Sequence, residues 1–213
     1  MTDLSGNTFF DGPAGRIEGL LKEGTGKVLR AAVVCHPHPL FGGTMHNKVV
    51  FRIARALNES GFAVLRFNFR GVGRSAGAHT GGSGEQEDLR AAMDFITNRY
   101  PEADLWLAGF SFGAMVMWPV GCVDERARAL IAVGLPVSRY AFDASIVCDK
   151  PKLFVQGSLD EFGSPADLES FVGGLSEPKQ LLIVEGADHF FEGHLSQLQK
   201  GVVEFVAQQI GES

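Results

Sequence analysis

A serine framed by glycines, an aspartate and a histidine on two later loops, and a His-Pro-rich loop carry the chemistry legible in this chain. Gly109-Phe110-Ser111-Phe112-Gly113 follows the short apolar run Leu105 to Ala108 and leads into the helix-compatible run Ala114 to Trp118. A strand that enters a G-x-S-x-G turn and leaves as a helix holds one hydroxyl on a strained corner, clear of the sheet. The glycines remove Cβ atoms that would strike the neighbouring strand and helix. This is the setting of a nucleophilic serine. A second match, Gly73-Arg74-Ser75-Ala76-Gly77, serves as an internal control. Ser75 comes several residues after its strand and precedes His79-Thr80-Gly81-Gly82 rather than a helix, so it reads as a structural turn.

Serine is a weak nucleophile until a base takes its proton, and the base must be oriented by an acid. The run Leu153 to Gln156 is followed by Gly157-Ser158-Leu159-Asp160-Glu161, and the run Leu181 to Val184 by Glu185-Gly186-Ala187-Asp188-His189-Phe190-Phe191. Asp160 and His189 thus fall at the ends of predicted strands downstream of Ser111. Glu161 competes with Asp160 for the acid's place, and Asp160 could instead cap a helix or turn. His189 could instead be an ordinary loop histidine. Asp188 is expected to cap the following turn.

Acyl transfer also needs N–H donors for the developing oxyanion. The amide of Phe112, directly after the serine and at a helix N-terminus, is one. The other is expected from His36-Pro37-His38-Pro39-Leu40-Phe41-Gly42-Gly43, after the predicted strand that ends at Cys35. Pro37 and Pro39 have no N–H, which leaves His36, His38 and Leu40. The His-x-His pair could alternatively bind metal with His46 or His79, but no carboxylate or cysteine spacing supports that. No metal and no cofactor are expected.

The elements that must position these residues alternate. Val28 to Cys35, Phe62 to Asn68, Leu105 to Ala108, Ala129 to Val133, Lys152 to Gln156 and Gln180 to Val184 read as strands. Helical spacing covers Lys48 to Leu57, Glu85 to Tyr100, Phe112 to about Val123, Pro165 to Val172 and about Gly193 to Ile210. Pro119 is expected to kink the third of these and widen the pocket floor. Such alternation predicts an α/β fold, a doubly wound, mostly parallel sheet with helices on both faces and ligands at the carboxyl ends of the strands. A strand near Arg16 to Lys22 is expected antiparallel at one edge. The whole chain, 1–213, reads as one domain, with about 1–14 as a loose N-terminal segment.

Composition narrows the partners. The chain has 213 residues, 45% of them hydrophobic, and a formal net charge of −6 with scattered Lys and Arg. That argues against nucleic acid or an anionic membrane as partner. No stretch approaches the ~20 apolar residues of a membrane span, and Met1 to Asp11 lacks the layout of a secretory signal. Cys35, Cys122 and Cys148 have no metal or redox spacing and fit reduced thiols in a cytoplasmic protein. Cys35, inside an apolar run, is expected to fill core volume. The expected partner is a small-molecule ester, and the chain is expected to be a monomer or homodimer.

These residues carry a resemblance to the α/β-hydrolase superfamily, more narrowly to its small, capless bacterial serine hydrolases. The segments His36 to Met45, Arg66-Phe67-Asn68-Phe69-Arg70-Gly71-Val72-Gly73-Arg74-Ser75, Gly109 to Gly113 and Asp188-His189-Phe190-Phe191 support it. It covers the chain from about Gly15 onward. The resemblance implies a triad of Ser111, Asp160 and His189, with Asp160 favoured over Glu161 by the family spacing. It also implies oxyanion donors at the Phe112 and His38 amides, with Leu40 in reserve.

The loop Asn68 to Ser75 is similar to the superfamily's D-x-R-G-x-G-x-S loop, mostly structural there, with Asn68 in place of aspartate. Arg70 and Arg74 are secondary candidates for an anionic substrate group. Only Gly134 to Pro151 stands where relatives insert a cap, so an open site without a lid is expected. Phe41, Phe110, Tyr140, Phe142, Phe162 and Phe190 are candidates for its wall, although core packing would occupy most such aromatics. The resemblance implies a serine carboxylesterase. Thioesterase, lactone hydrolase, amidase, peptidase and acyltransferase chemistry are the alternatives within enzymes, and a non-catalytic scaffold is the rival outside them.

Overall fold

The computed structural model describes residues 6–24, 26–142 and 146–211. Eight strands form one sheet: β1 (Gly6–Gly12), β2 (Gly15–Lys22), β3 (Arg30–Cys35), β4 (Ala63–Phe67), β5 (Asp104–Phe110), β6 (Ala127–Val133), β7 (Lys152–Gly157) and β8 (Lys179–Val184). Their spatial order is β1-β2-β4-β3-β5-β6-β7-β8. From β4 to β8 all neighbours are parallel, whereas β1 with β2 and β2 with β4 are antiparallel. Among the described residues four helices connect the strands, α1 (Lys48–Glu59), α2 (Ser83–Arg99), α3 (Phe112–Val123) and α4 (Pro165–Gly173), and α5 (Leu195–Gly211) follows β8.

Side chains alternate across each strand, which gives the sheet two buried faces. Ala31, Val33 and Cys35 of β3 and Leu105 and Leu107 of β5 point into the layer of α2, α3 and α4, with Leu89, Trp118 and Leu168. Ala32, Val34, Trp106, Ala108 and Phe110 point the other way, into the layer of α1 and α5, with Ile53 and Phe205. Both faces are covered, so the central strands read as unbroken apolar runs rather than alternating ones.

The expected doubly wound sheet is present, with two differences. The strand expected at the edge, β2, is second in the sheet. The segment expected to be loose contains the true edge strand, β1, which pairs with β2 from Gly6↔Leu21 to Gly12↔Gly15. Gly6-Asn7-Thr8-Phe9-Phe10 has little apolar periodicity, so the strand is set by partners distant in sequence. Phe10 is buried and stacks on Phe95 of α2, with ring centroids 5.0 Å apart. Met1 to Ser5 lie outside the described residues. The other difference concerns Pro119, which sits inside α3 while the helix continues to Val123. It lines neither cavity beside Ser111, so a widened pocket floor finds no counterpart.

Successive connections run outward from β3 to β4 and then back across β3 to β5. The carboxyl ends of β3 and β5 therefore flank a point where the winding reverses, the place where open α/β sheets bind ligands. Among the described residues between β6 and β7 there is no helix. None of the described helices is long and apolar enough to cross a membrane.

Candidate functional site

Ser111 has φ 55° and ψ −120°, a left-handed conformation rare for a residue with a Cβ. Such a conformation costs on the order of 1–3 kcal/mol and persists only where its surroundings enforce it. Here the Ser111 N–H donates to the Val133 carbonyl of β6 at 2.9 Å, and its carbonyl accepts from Ala114 and Met115 at 2.9 and 3.0 Å. The flanking glycines are sterically required. A Cβ on Gly109 would lie 2.5 Å from the Gly113 backbone, and one on Gly113 would lie 2.5 Å from the Cys35 and His36 carbonyls. The second contact docks α3 against the loop after β3.

Three expected residues meet at this corner. His189 Nε2 lies 2.9 Å from Ser111 Oγ, and His189 Nδ1 lies 2.7 Å from Asp160 Oδ2. With Nδ1 donating to the carboxylate, Nε2 is left as the acceptor for the serine hydroxyl. Asp160 is almost fully buried, whereas Glu161 is exposed and takes no part. Asp160 Oδ1 accepts the Phe162 and Gly163 amides at 2.8 and 3.3 Å. Its Oδ2 also accepts from Gln156 Nε2 at 2.9 Å.

The His189 loop is pinned as expected for Asp188, whose Oδ1 accepts from Phe190 and Glu192 at 3.1 and 2.9 Å. Beyond it Phe191 takes φ 54° and buries its ring completely. The rings of Phe110, Phe162 and Phe190 surround the imidazole at centroid distances of 5.0, 4.5 and 5.3 Å.

The loop after β3 is fixed from inside. His36 is fully buried, with Nδ1 donating to the Pro37 carbonyl at 2.6 Å and Nε2 accepting the Phe69 amide at 3.0 Å. Both bonds suit the neutral ring, and burial depresses its pKa to about 4. Pro39–Phe41 form a short 3-10 turn in which the Leu40 amide donates to His38 Nδ1 at 3.2 Å. That engagement removes Leu40 as the reserve oxyanion donor. The His38 amide has no acceptor among the described residues, and the Phe112 amide opens α3, where the first N–H groups have no intrahelical partner. The His38 ring packs on Phe112 and on His79, which is bonded to the buried Glu85. Burial, and next the charge of His79, lower the His38 pKa.

Two cavities adjoin Ser111 and share it with His38, Phe41 and Phe162. One of about 130 Å³ is lined by Pro37, His38, Phe41, Asn47, His189 and Phe190. The other, about 420 Å³, is lined by His38, Phe41, Phe112, Pro136, Arg139 and Tyr140. Of the aromatic candidates, Phe41, Tyr140, Phe162 and Phe190 therefore face the site. Phe110 does not: alternation along β5 sends its side chain into the α1/α5 layer, beneath the imidazole. Phe142 does not either, because its ring packs at a tilt on Phe171 of α4, centroids 5.2 Å apart, against the core.

The loop after β4 is structural. Ser75 Oγ donates to the Asn68 carbonyl at 2.7 Å and accepts the Glu18 amide at 3.0 Å. Arg70 is held by the buried Asp88 through Nε and a terminal nitrogen at 3.0 and 2.7 Å. Arg74 is paired with Glu18 at 2.7 Å. Neither arginine lines a cavity beside Ser111. Asn68 has a consequence the sequence did not disclose: its Nδ2 donates to Glu18 at 2.9 Å while Oδ1 accepts the Met45 amide at 2.9 Å. An aspartate there would set two carboxylates against each other.

Cys35 is core, as expected, and Cys122 and Cys148 are also buried. The last two meet through a side-chain hydrogen bond, which lowers the pKa of Cys148. Among the described residues, no group of three or more His, Cys, Asp or Glu side chains is arranged to hold a metal. Sequence reasoning missed Gln156 and Arg139. A polar residue ending the buried run Leu153 to Val155 was the signal for Gln156, while an exposed arginine in a connection gives none.

A family model described as serine aminopeptidase, S33, matches residues 29–140. Protein RP471 of Rickettsia prowazekii (strain Madrid E) is 36% identical over 207 residues, spanning 93% of this chain and 87% of that protein. An α/β serine hydrolase homologue from Coxiella burnetii shares 40% identity with a TM-score of 0.88, covering 96% of this chain and 97% of the other. XC6422 from Xanthomonas campestris, a serine hydrolase without a lid, shares 36% identity with a TM-score of 0.89, covering 98% and 96%. With such a sheet and serine corner, and no helix among the described residues between β6 and β7, the chain belongs to the α/β-hydrolase superfamily, among its lidless serine hydrolases.

Proposed function

We propose that this hydrolase cleaves carboxylic esters through an acyl-enzyme on Ser111. The reading rests on one observation, the continuous run of hydrogen bonds from Asp160 through His189 to Ser111. Ser111 Oγ attacks the ester carbonyl carbon as its proton passes to His189 Nε2. Asp160 keeps the imidazole in the tautomer that can accept that proton and stabilises the imidazolium formed. The carbonyl electrons move onto oxygen, where the amides of Phe112 and His38 are the donors. Collapse of the tetrahedral intermediate breaks the ester C–O bond, and the leaving oxygen takes the proton from Nε2. Water then repeats the sequence, releasing the carboxylic acid and restoring Ser111.

Esters are favoured over peptides by what lines the two cavities. An aminopeptidase needs an acid to hold a free α-amino group, and among the described residues neither lining includes Asp or Glu. The test is hydrolysis of p-nitrophenyl butyrate by wild type and Ser111→Ala, with fluorophosphonate labelling of both. Wild type should be labelled, and the variant should lose at least about three orders of magnitude in kcat. Equal rates, or an unlabelled wild type, overturn the assignment; the second result is the one a non-catalytic scaffold gives.

A further inference from the structure

The larger cavity beside Ser111 has a cation and no acid among the described residues that line it. Arg139 lines it, with its guanidinium carbon 5.6 Å from the Phe162 ring centroid. Among the described residues Arg139 pairs with no carboxylate, unlike Arg70 and Arg74, which Asp88 and Glu18 neutralise. Asp167, on the adjoining segment, lines no part of the cavity and accepts a hydrogen bond from Ser138 Oγ. An exposed arginine is ordinarily a solvated surface group. This one leans on an aromatic wall, which limits the freedom it would lose on binding an anion, and its planar fork suits a carboxylate. The chain's net charge of −6 repels anions at long range, so a local cation has the greater effect on whether one binds.

The two cavities divide the substrate. The leaving oxygen must take its proton from His189 Nε2, so the alcohol side belongs in the cavity that His189 lines. The larger cavity is lined by Phe112 and not by His189, and it is left for the acyl group. We propose that this acyl group ends in a carboxylate recognised by Arg139, so that the preferred substrates are half-esters of dicarboxylic acids. Arg139 is then a specificity-determining residue, and Tyr140 and Phe162 flank the acyl chain. The inference rests on the esterase reading above.

Mono-p-nitrophenyl adipate and p-nitrophenyl hexanoate have acyl chains of equal length and differ by one charge, so the ratio of their kcat/KM values isolates the anion. Wild type should favour the adipate by roughly 10- to 100-fold at low ionic strength, with the preference shrinking as salt is added. Arg139→Gln should bring the ratio close to one, mainly by raising KM for the adipate, and Arg139→Lys should retain part of it. A wild-type ratio at or below one, or an equal ratio in Arg139→Gln, overturns the inference. If hexanoate turnover still depends on Ser111, only the role of Arg139 falls. If neither ester gives Ser111-dependent turnover, the esterase reading falls and takes this inference with it.

Discussion

Gln156 holds the Asp160 carboxylate from the side that the loop amides leave open. It is fully buried, and its Nε2 donates to Asp160 Oδ2 at 2.9 Å and to the Gly163 carbonyl at 2.7 Å. Its Oε1 has no hydrogen-bond partner among the described residues, so the side chain accepts an unpaired oxygen in order to place its amide. A hydrogen bond to a charged group is worth about 1.5–3 kcal/mol. Gln156→Leu should therefore lower kcat for p-nitrophenyl butyrate roughly 10- to 100-fold while KM changes little. An unchanged kcat in steady-state assays would show that the loop amides alone fix Asp160. The residue types of Ser111, Asp160 and His189 were readable because each follows a strand in a distinctive local context. Gln156 acts through another residue, and its neighbours in the chain give no hint of that partner.

At the scale of elements, the site depends on how closely strand ends approach one another. Gly157 closes β7, and a Cβ there would lie 2.3 Å from the Ala187 carbonyl and 2.7 Å from that of Asp188. Both atoms are backbone of the loop that carries His189, so Gly157→Ala must push the Asp160 and His189 loops apart. The expected result is a stability loss of about 2 kcal/mol in urea denaturation and a fall in kcat of at least about tenfold. Gly173, whose added Cβ meets nothing within 4 Å, is the control: Gly173→Ala should leave both quantities nearly unchanged. Wild-type kcat in Gly157→Ala would refute the coupling of the two loops. The sequence disclosed these strands through apolar runs, yet not β1, whose residues pair with β2 and pack on α2 without a periodic pattern of their own. It also suggested a pocket floor widened at Pro119, whereas that residue lines neither cavity beside Ser111.

For the whole molecule, burying a neutral His36 at the junction of β3 and the Asn68–Phe69 segment links stability to pH. Its folded pKa is depressed to about 4 from an ordinary 6.5. Between these values the unfolded chain binds the extra proton, so the stabilisation is complete above about pH 6.5 and is lost as pH falls toward 4. The full difference is on the order of 3 kcal/mol. Glu85, whose burial penalty is outweighed by hydrogen bonds from Thr80 and Gly82, has a lowered pKa and titrates at more acid pH. The slope of urea-unfolding free energy between pH 6.5 and 5 therefore reports on His36 together with His38, whose pKa burial also lowers. His36→Gln, which keeps an acceptor for the Phe69 amide, should flatten that slope. Parallel slopes in the two proteins would assign the acid sensitivity elsewhere.

The alternation of strands and helices, the serine corner, and the order in which Ser111, Asp160 and His189 follow their strands are legible in the chain alone, because each is a matter of local backbone geometry and side-chain chemistry. The folded arrangement of the strands was needed to tell which aromatics face the site, since one residue's register along β5 sends Phe110 into the α1/α5 layer. It also decided which charges are spent in ion pairs: Arg70 and Arg74 meet carboxylates brought from distant parts of the chain, and Arg139 meets none among the described residues. Pairing between groups far apart in sequence depends on how the sheet stacks its strands, and no short stretch of residues encodes that.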